Sequence, residues 1–169
     1  MERVLGAIFV ISACGGFGFS LAAGYRREVK GFRQLMLAIK FMQCELQYRR
    51  TPLAKLCRMT AKEIEKPIAD VFIHLAEELE QQVRPDVASC MHMALVRSSD
   101  LPQKVICIFT DLGNTLGRYD LQGQLEGLEM LWSLCNEHLT SMTENSRQRI
   151  RSYRTLGLCA GAALAILMI

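Results

Sequence analysis

The chain has 169 residues, with 20 Lys and Arg against 17 Asp and Glu, and a formal net charge of +3. Residues 34–146 hold eleven Lys and Arg and fifteen Asp and Glu, so the body of the chain is mildly acidic. A nucleic-acid-binding domain would carry a basic patch on this body, so the composition argues against that function. The 129 residues from 26 to 154 suffice for one domain with its own core.

Residues 1–25 are predicted to form a transmembrane segment. Residues 4–25 carry no charge, and at about 1.5 Å per residue a helix of this length crosses a hydrocarbon core about 30 Å thick. Small residues recur along it at every fourth position: Ser12, Gly16, Ser20 and Gly24. Such a stripe lets helices pack closely in lipid, although small residues are also common in membrane helices in general.

Two other interpretations of the N-terminus fit less well. A cleaved secretory signal has an apolar run of roughly 7–15 residues, and the uncharged stretch here is longer. The sequence Ile11-Ser12-Ala13-Cys14 resembles a lipid-modification box, yet the chain stays apolar for eleven residues after Cys14, where a mature lipoprotein is usually polar. A permanent membrane anchor fits this pattern best.

The region 26–154 is predicted to be all-α, an antiparallel bundle of about six helices, because apolar residues recur with the helical period and sustained strand alternation is absent. Two apolar stripes comprise Phe32, Leu35, Met36, Ile39, Met42 and Leu46, and then Ile68, Val71, Phe72, Leu75 and Leu79. Four helix starts are marked by Pro52, Pro67, Pro85 and Pro102. Thr51 and Asp100 are expected to cap helix N-termini, and Gly117 is expected to end a helix in the left-handed conformation.

The last helix is predicted to be the most regular. Seven apolar residues alternate in steps of four and three, as in a heptad seam: Leu121, Leu125, Leu128, Trp132, Cys135, Leu139 and Met142. From near Asp120 this helix can continue into residues 155–169, just as the first helix can emerge from the first transmembrane segment.

Residues 155–169 are predicted to form a second, short transmembrane segment. They are uncharged and carry small residues four apart: Gly157, Gly161 and Ala165. At about 1.5 Å per residue, 15 residues cover roughly 22 Å, which is less than a full hydrocarbon core.

Eight basic residues lie on the inner flanks of the two segments: Arg26, Arg27, Lys30, Arg33, Arg147, Arg149, Arg151 and Arg154. On the outer side of the first segment there is only Arg3, offset by Glu2. The positive-inside rule therefore places residues 26–154 in the cytoplasm and both termini across the membrane. The eight basic side chains would then lie near anionic lipid headgroups.

No catalytic, cofactor or metal site is predicted. The sequence has no P-loop, dinucleotide fingerprint or nucleophile elbow. Residues 90–93 (CMHM) suggest a soft-metal site, but consecutive helical residues point in different directions. The seven cysteines are expected to be reduced, apolar core residues. The acidic run Glu77, Glu78 and Glu80 is expected to be a solvated helix face or a docking patch for a basic partner.

Two local motifs complete the pattern, with residues 45–53 reading ELQYRRTPL and residues 112–120 reading LGNTLGRYD. Their order and spacing, together with the terminal segments and the chain length, resemble the stage III sporulation protein AB family over nearly the whole chain. The positions that carry this resemblance are Glu45, Tyr48, Thr51, Pro52, Leu53, Gly113, Thr115, Leu116, Gly117 and Asp120. Where members of the family carry an acidic residue, this chain has Asn114.

The resemblance implies a membrane subunit of the channel complex between mother cell and forespore, located in the mother-cell membrane that faces the forespore. The family's central domain is similar to the cytoplasmic domain of type II secretion inner-membrane platform proteins. The implied partners are sibling channel subunits and a secretion-type ATPase, stage III sporulation protein AA. Neither nucleic acid nor a small-molecule substrate is expected.

The sequence thus predicts a non-enzymatic scaffold: a helical bundle held by two membrane segments. The alternative is a membrane-bound sensor or ligand-binding module with a small ligand between its helices. A sensor would show a pocket lined by convergent polar groups.

Overall fold

The computed structural model describes the backbone of residues 2–49, 51–82, 84–98 and 101–168, and side chains for residues 24–49, 51–82, 84–98 and 101–144. These residues form six helices and no strand. In chain order the helices are α1 (Glu2–Arg49), α2 (Leu53–Glu63), α3 (Ile68–Gln81), α4 (Val87–Arg97), α5 (Gln103–Thr115) and α6 (Leu121–Met168). The all-α prediction is confirmed over the described residues.

The two long helices, α1 and α6, lie antiparallel and make the most extensive helix–helix contact in the bundle. The hydroxyl of Tyr25 donates to the carbonyl of Met142 over 2.6 Å, and the Gln43 amide donates to the Glu129 carboxylate over 2.9 Å. The shorter helices pack in sequence order, α2 on α3, α3 on α4 and α4 on α5. α1 also contacts α2, α3 and α5.

This arrangement gives the bundle two ends. The basal end contains Tyr25 and Met142, where α1 and α6 continue toward the chain termini, together with the α2–α3 and α4–α5 connections. The distal end contains the α1–α2, α3–α4 and α5–α6 connections.

The core is apolar and continuous from α1 to α6. Both predicted apolar stripes lie in it, with Met36 and Leu79 half-buried at its margin. Phe72 of α3 and Phe109 of α5 are fully buried and meet edge to face, with ring centroids 5.4 Å apart. Helical periodicity therefore predicted the packing faces correctly.

The predicted heptad seam faces the core, but its centre differs from the expectation. Leu128, Cys135 and Met142 are buried, whereas Trp132 is only half-buried. Trp132 packs against the margin of the core, and the Lys40 ammonium lies over its ring, 4.7 Å from the centroid.

Two helix-cap predictions involve hydroxyl and carboxyl side chains. The prediction that Thr51 caps α2 is wrong, because its hydroxyl donates to the Glu45 carboxylate over 3.2 Å and Pro52 occupies the cap position without a side-chain hydrogen bond. Asp100 lies outside the described residues. Asp86 caps α4, since its carboxylate accepts from the Ser89 backbone N–H over 3.3 Å.

The acidic run in α3 is not a uniformly solvated face, because Glu78 is buried. Its carboxylate is 3.2 Å from Arg84 Nε and 3.4 Å from Arg97 Nη1. A buried carboxylate needs such cationic partners to offset the loss of hydration, and here they come from the α3–α4 connection and from α4.

The cysteines also divide against expectation: Cys57, Cys90 and Cys135 are buried, whereas Cys44 and Cys107 are exposed. None of these five forms a disulfide, and Cys14 and Cys159 lie outside the residues described with side chains. Burial raises the pKa of the Cys57 thiol to about 12 and that of Cys135 to about 12 as well. Since only the thiolate is a good nucleophile, both should be poorly reactive.

Thiol labelling is therefore expected to be ordered. In the folded full chain at mildly alkaline pH, a maleimide should modify Cys44 and Cys107 first, while Cys57 and Cys135 react only after denaturation. Peptide mapping by mass spectrometry at successive times checks this order. Simultaneous labelling of Cys57 and Cys44 under native conditions would contradict the packing of α2 described above.

Among the described residues, no helix combines the length and the apolar character needed to cross a membrane. The predicted transmembrane segments, residues 1–25 and 155–169, fall outside the residues described with side chains, apart from Gly24 and Tyr25.

Candidate functional site

The two sequence motifs meet at the distal end of the bundle. Residues 45–53 end α1 and begin α2, and residues 112–120 end α5 and lead into α6. Leu53 and Gly117 lie close together, because a Cβ atom placed on Gly117 would be 4.0 Å from Leu53 Cδ2. Segments separated by about sixty positions in the sequence thus form one surface.

The first motif is fixed by short-range polar contacts. The Glu45 carboxylate accepts the Thr51 hydroxyl over 3.2 Å and pairs with Arg49 over 3.4 Å. Pro52 then sets the start of α2. These contacts close the α1–α2 turn, and they leave Tyr48 on the outside with 79% of its surface exposed.

Gly113 in the second motif allows α4 and α5 to approach closely. A Cβ atom at this position would lie 2.7 Å from Met91 Cβ and 3.4 Å from Ala88 Cα. These atoms belong to or adjoin the backbone of α4, so they cannot rotate away. Glycine is therefore required here by packing.

The end of α5 also packs against α6. The Thr115 hydroxyl donates to the Asp111 carbonyl over 2.9 Å, and its methyl group lies against Gly127 of α6. Leu116 is buried at the helix end. These contacts position the α5–α6 connection.

Gly117 has φ of 74°, the left-handed region that favours glycine just after a helix. Its predicted role at the end of α5 is therefore confirmed. Asp120 caps α6, since its carboxylate accepts from the Gly123 backbone N–H over 3.0 Å. The Gln124 amide donates to the Tyr119 carbonyl over 2.8 Å, which holds the connection against α6.

Several side chains of the two motifs remain without such an internal role. Tyr119 is 55% exposed, and Tyr48, Asn114 and Arg118 are also exposed. Exposed tyrosines and arginines are the side chains most enriched at protein interfaces. The distal end therefore has the side chains of a docking surface.

A cleft of about 400 Å³ opens at this end between α3, α4 and α5. Its walls include Glu78, Arg84, Asp86, Asn114 and Arg118. The sequence analysis did not identify this cleft, because its residues come from three helices. Its local signals were the Arg84-Pro85-Asp86 turn and the motif at residues 112–120.

Three of the four charged groups of the cleft have partners within the bundle. Arg84 binds Glu78 and Asp86 caps α4. Cys90 also lines the cleft, and burial, with a smaller contribution from the Glu78 charge, raises the pKa of its thiol above the usual range. A thiol held protonated in this way is a poor nucleophile.

The three histidines lie apart from one another in the bundle. His138 stacks on Phe32 with centroids 5.4 Å apart, His74 Nδ1 is 3.5 Å from the Glu77 carboxylate, and His92 is exposed on α4. Within the part of the chain that the structure describes, no three His, Cys, Asp or Glu side chains are grouped to hold a metal ion.

The remaining predicted positions lie at the basal end or beyond it. Arg26, Arg27, Lys30 and Arg33 are exposed on the part of α1 where described side chains begin, next to the exposed Gly24. The other predicted positions lie outside the residues described with side chains: Ser12, Gly16, Ser20, Arg147, Arg149, Arg151, Arg154, Gly157, Gly161 and Ala165.

Comparison with known proteins agrees with this geometry. The family model described as Stage III sporulation protein AB matches residues 3–169. The curated Stage III sporulation protein AB of Bacillus subtilis (strain 168) is 23% identical over 171 residues, covering 99% of both chains. A solved structure of Stage III sporulation protein AB (SpoIIIAB) superposes with a TM-score of 0.64 at 18% identity, covering 72% of this chain and 98% of that one, and so shares the fold. The chain therefore belongs to the Stage III sporulation protein AB family.

Proposed function

We propose that this protein is a non-enzymatic, membrane-anchored scaffold subunit of the sporulation channel complex, located in the mother-cell membrane that faces the forespore. In this proposal residues 1–25 and 155–169 cross the membrane, residues 26–154 lie in the cytoplasm, and the distal end binds a protein partner. The candidate partners are sibling channel subunits and the secretion-type ATPase, stage III sporulation protein AA.

The observation that carries the proposal is that some residues of the two family motifs make internal contacts whereas others are exposed. Glu45, Thr51, Gly113 and Asp120 make internal contacts that fix the distal backbone. The tyrosines and Arg118 are exposed on the surface that this backbone forms. A rigid end with exposed aromatic side chains supports a docking role.

The direction of the two long helices supports the anchoring. α1 and α6 leave the bundle at the same end, so two membrane segments would hold the domain with its distal end facing the cytoplasm. Arg26, Arg27, Lys30 and Arg33 are exposed at that basal end, where they would attract anionic lipid.

A double variant tests the docking surface. Tyr48→Ala/Tyr119→Ala removes two exposed rings and should leave the helical content unchanged. If the rings are interface hot spots, each worth about 2 kcal/mol, losing even one weakens partner binding about 30-fold. We expect spore yield to fall in the native host while the variant stays in the membrane fraction after carbonate extraction.

The matched control is Leu37→Ala/Val96→Ala, which trims two exposed apolar side chains away from the distal end. This control should sporulate normally. Normal spore yield from the tyrosine variant would contradict the docking surface, and extraction of the unaltered chain by carbonate would contradict the anchoring.

The second candidate function, a membrane-bound sensor, is favoured by the size of the distal cleft, which is in the range of small-ligand sites. Three of its charged groups already have partners within the bundle, Glu78 and Arg84 in an ion pair and Asp86 as a helix cap, which favours the scaffold. Native mass spectrometry of the purified full chain separates the two, because a sensor would retain a small molecule and lose it on Arg118→Ala substitution.

A further inference from the structure

A second cleft, of about 340 Å³, opens at the basal end between α1, the α2–α3 connection and the start of α5. Its floor is apolar. Gly31 and Ile68 are buried there, and Pro102 is half-buried. Gly31 lets α1 pack closely against α5 at this floor, because a Cβ atom there would lie 3.2 Å from Val105 Cγ2.

The rim of this basal cleft is cationic, with exposed Arg27, Lys30 and Lys66. Two carboxylates hold the lysines in place: Lys30 Nζ is 2.6 Å from Glu65, and Lys66 Nζ is 3.2 Å from Asp70. Each ammonium has three N–H donors, so one ion pair leaves further donors available to a ligand.

The charges at the rim sum to about one net positive unit. Three cations face two carboxylates, and Arg27 makes no ion pair with any side chain the structure describes. A phosphodiester carries one negative charge, whereas a free phosphate monoester carries nearly two at neutral pH. The rim therefore matches a phosphodiester better than a dianion.

The position along α1 sets the depth of the rim relative to a bilayer. Arg27 and Lys30 lie two and five residues beyond Tyr25, or about 3 and 8 Å along a helix. The headgroup layer on each side of a bilayer is roughly 5–7 Å thick. Along α1, the two cations therefore lie within about one headgroup thickness of the end of the predicted segment 1–25.

We propose that the basal cleft binds one anionic membrane phospholipid. Its phosphodiester contacts Arg27, Lys30 and Lys66, and its glycerol backbone lies on the apolar floor formed by Gly31, Ile68 and Pro102. This inference rests on the membrane anchoring proposed above. It adds a discrete lipid-binding site to the general attraction between the exposed basic residues and anionic lipid.

Native mass spectrometry of the full chain, released from nanodiscs of equimolar phosphatidylglycerol and phosphatidylcholine, tests the proposal. The unaltered chain should retain a single phosphatidylglycerol. Lys30→Gln/Lys66→Gln should lose it, because two phosphate contacts of about 1 kcal/mol each correspond to an affinity about 30-fold weaker. Absence of a one-lipid species in the unaltered chain, or its full retention in the variant, would overturn the inference.

The matched control is Lys40→Gln/Lys55→Gln, which removes the same charge away from the basal end and also breaks one ion pair, between Lys40 and Glu129. It should retain phosphatidylglycerol like the unaltered chain. Equal loss in both variants would mean that binding follows total charge, and the discrete site would be refuted.

Two further experiments identify the source of the phosphate and test the lipid site independently of the membrane anchoring. Excess glycerol 3-phosphate should not displace the lipid, and displacement would show that the ligand is a soluble phosphate ester. Carbonate extraction tests insertion separately. A chain that resists extraction but retains no lipid refutes only the site, whereas an extracted chain refutes the anchoring.

Discussion

Replacing Phe72 with alanine is expected to lower the free energy of unfolding by about 3–5 kcal/mol, the usual cost of removing a buried aromatic ring. Phe72 is fully buried in α3 and meets Phe109 of α5 edge to face. The alanine variant therefore loses both the apolar burial of the ring and an aromatic pair worth about 0.5–1.5 kcal/mol. Because small domains are stable by only about 5–15 kcal/mol, this one change should bring the bundle close to unfolding.

Trp132 provides the measurement, because it is the only tryptophan in the chain and lies half-buried in α6. Urea titration of the full chain in mild detergent, followed by its fluorescence, should show the midpoint lowered by roughly 2 M. Phe72→Leu should cost less. Gln81→Ala, at an exposed position of the same helix, should change stability by no more than about 0.5 kcal/mol. Equal midpoints for Phe72→Ala and Gln81→Ala would mean that α3 presents a different face to α5.

Gly113→Leu is expected to cost about 3 kcal/mol, at the upper end of the range for overpacked cores. In an open helix position the same change would be stabilising, since leucine has a higher helix propensity than glycine by nearly 1 kcal/mol. At Gly113 the new Cβ atom would lie 2.7 Å from Met91 Cβ and close to the α4 backbone. Packing therefore reverses the sign that propensity alone predicts.

Thr110→Leu is the control, because Thr110 is exposed on the same helix. The same fluorescence titration should show Gly113→Leu destabilised and Thr110→Leu unchanged or slightly stabilised. If Gly113→Leu did not change the midpoint, α4 and α5 would not approach as closely as described, and the arrangement of residues at the distal end would be wrong.

Helix positions were predictable from the sequence because core contacts recur with the helical period. Phe32, Ile39 and Phe72 follow this rule, and all are fully buried. The helical period does not predict which residues of other helices pack against a given position. Glu78 illustrates the gap: its burial depends on Arg84 and Arg97, which lie six and nineteen positions further along the chain.

In the candidate site, too, features set by residue type were predictable, whereas contacts between separate elements were not. The motif residues were identified from the sequence, and Gly117 was assigned its conformation from residue type alone. Thr51 was assigned a cap that it does not form, because a hydroxyl can accept from a backbone N–H or donate to a nearby carboxylate, and Glu45 lies six residues earlier. Neither cleft was predicted, since each is bounded by side chains from three separate elements.

The length of α1 and α6 has a mechanical consequence. Each is a single helix of 48 residues, about 70 Å long at 1.5 Å per residue, and neither contains a proline that would introduce a kink. The two helices also contact each other at two levels, through Tyr25 and Met142 and through Gln43 and Glu129. Binding of a partner at the distal end is therefore expected to displace α1 and α6 together rather than one at a time.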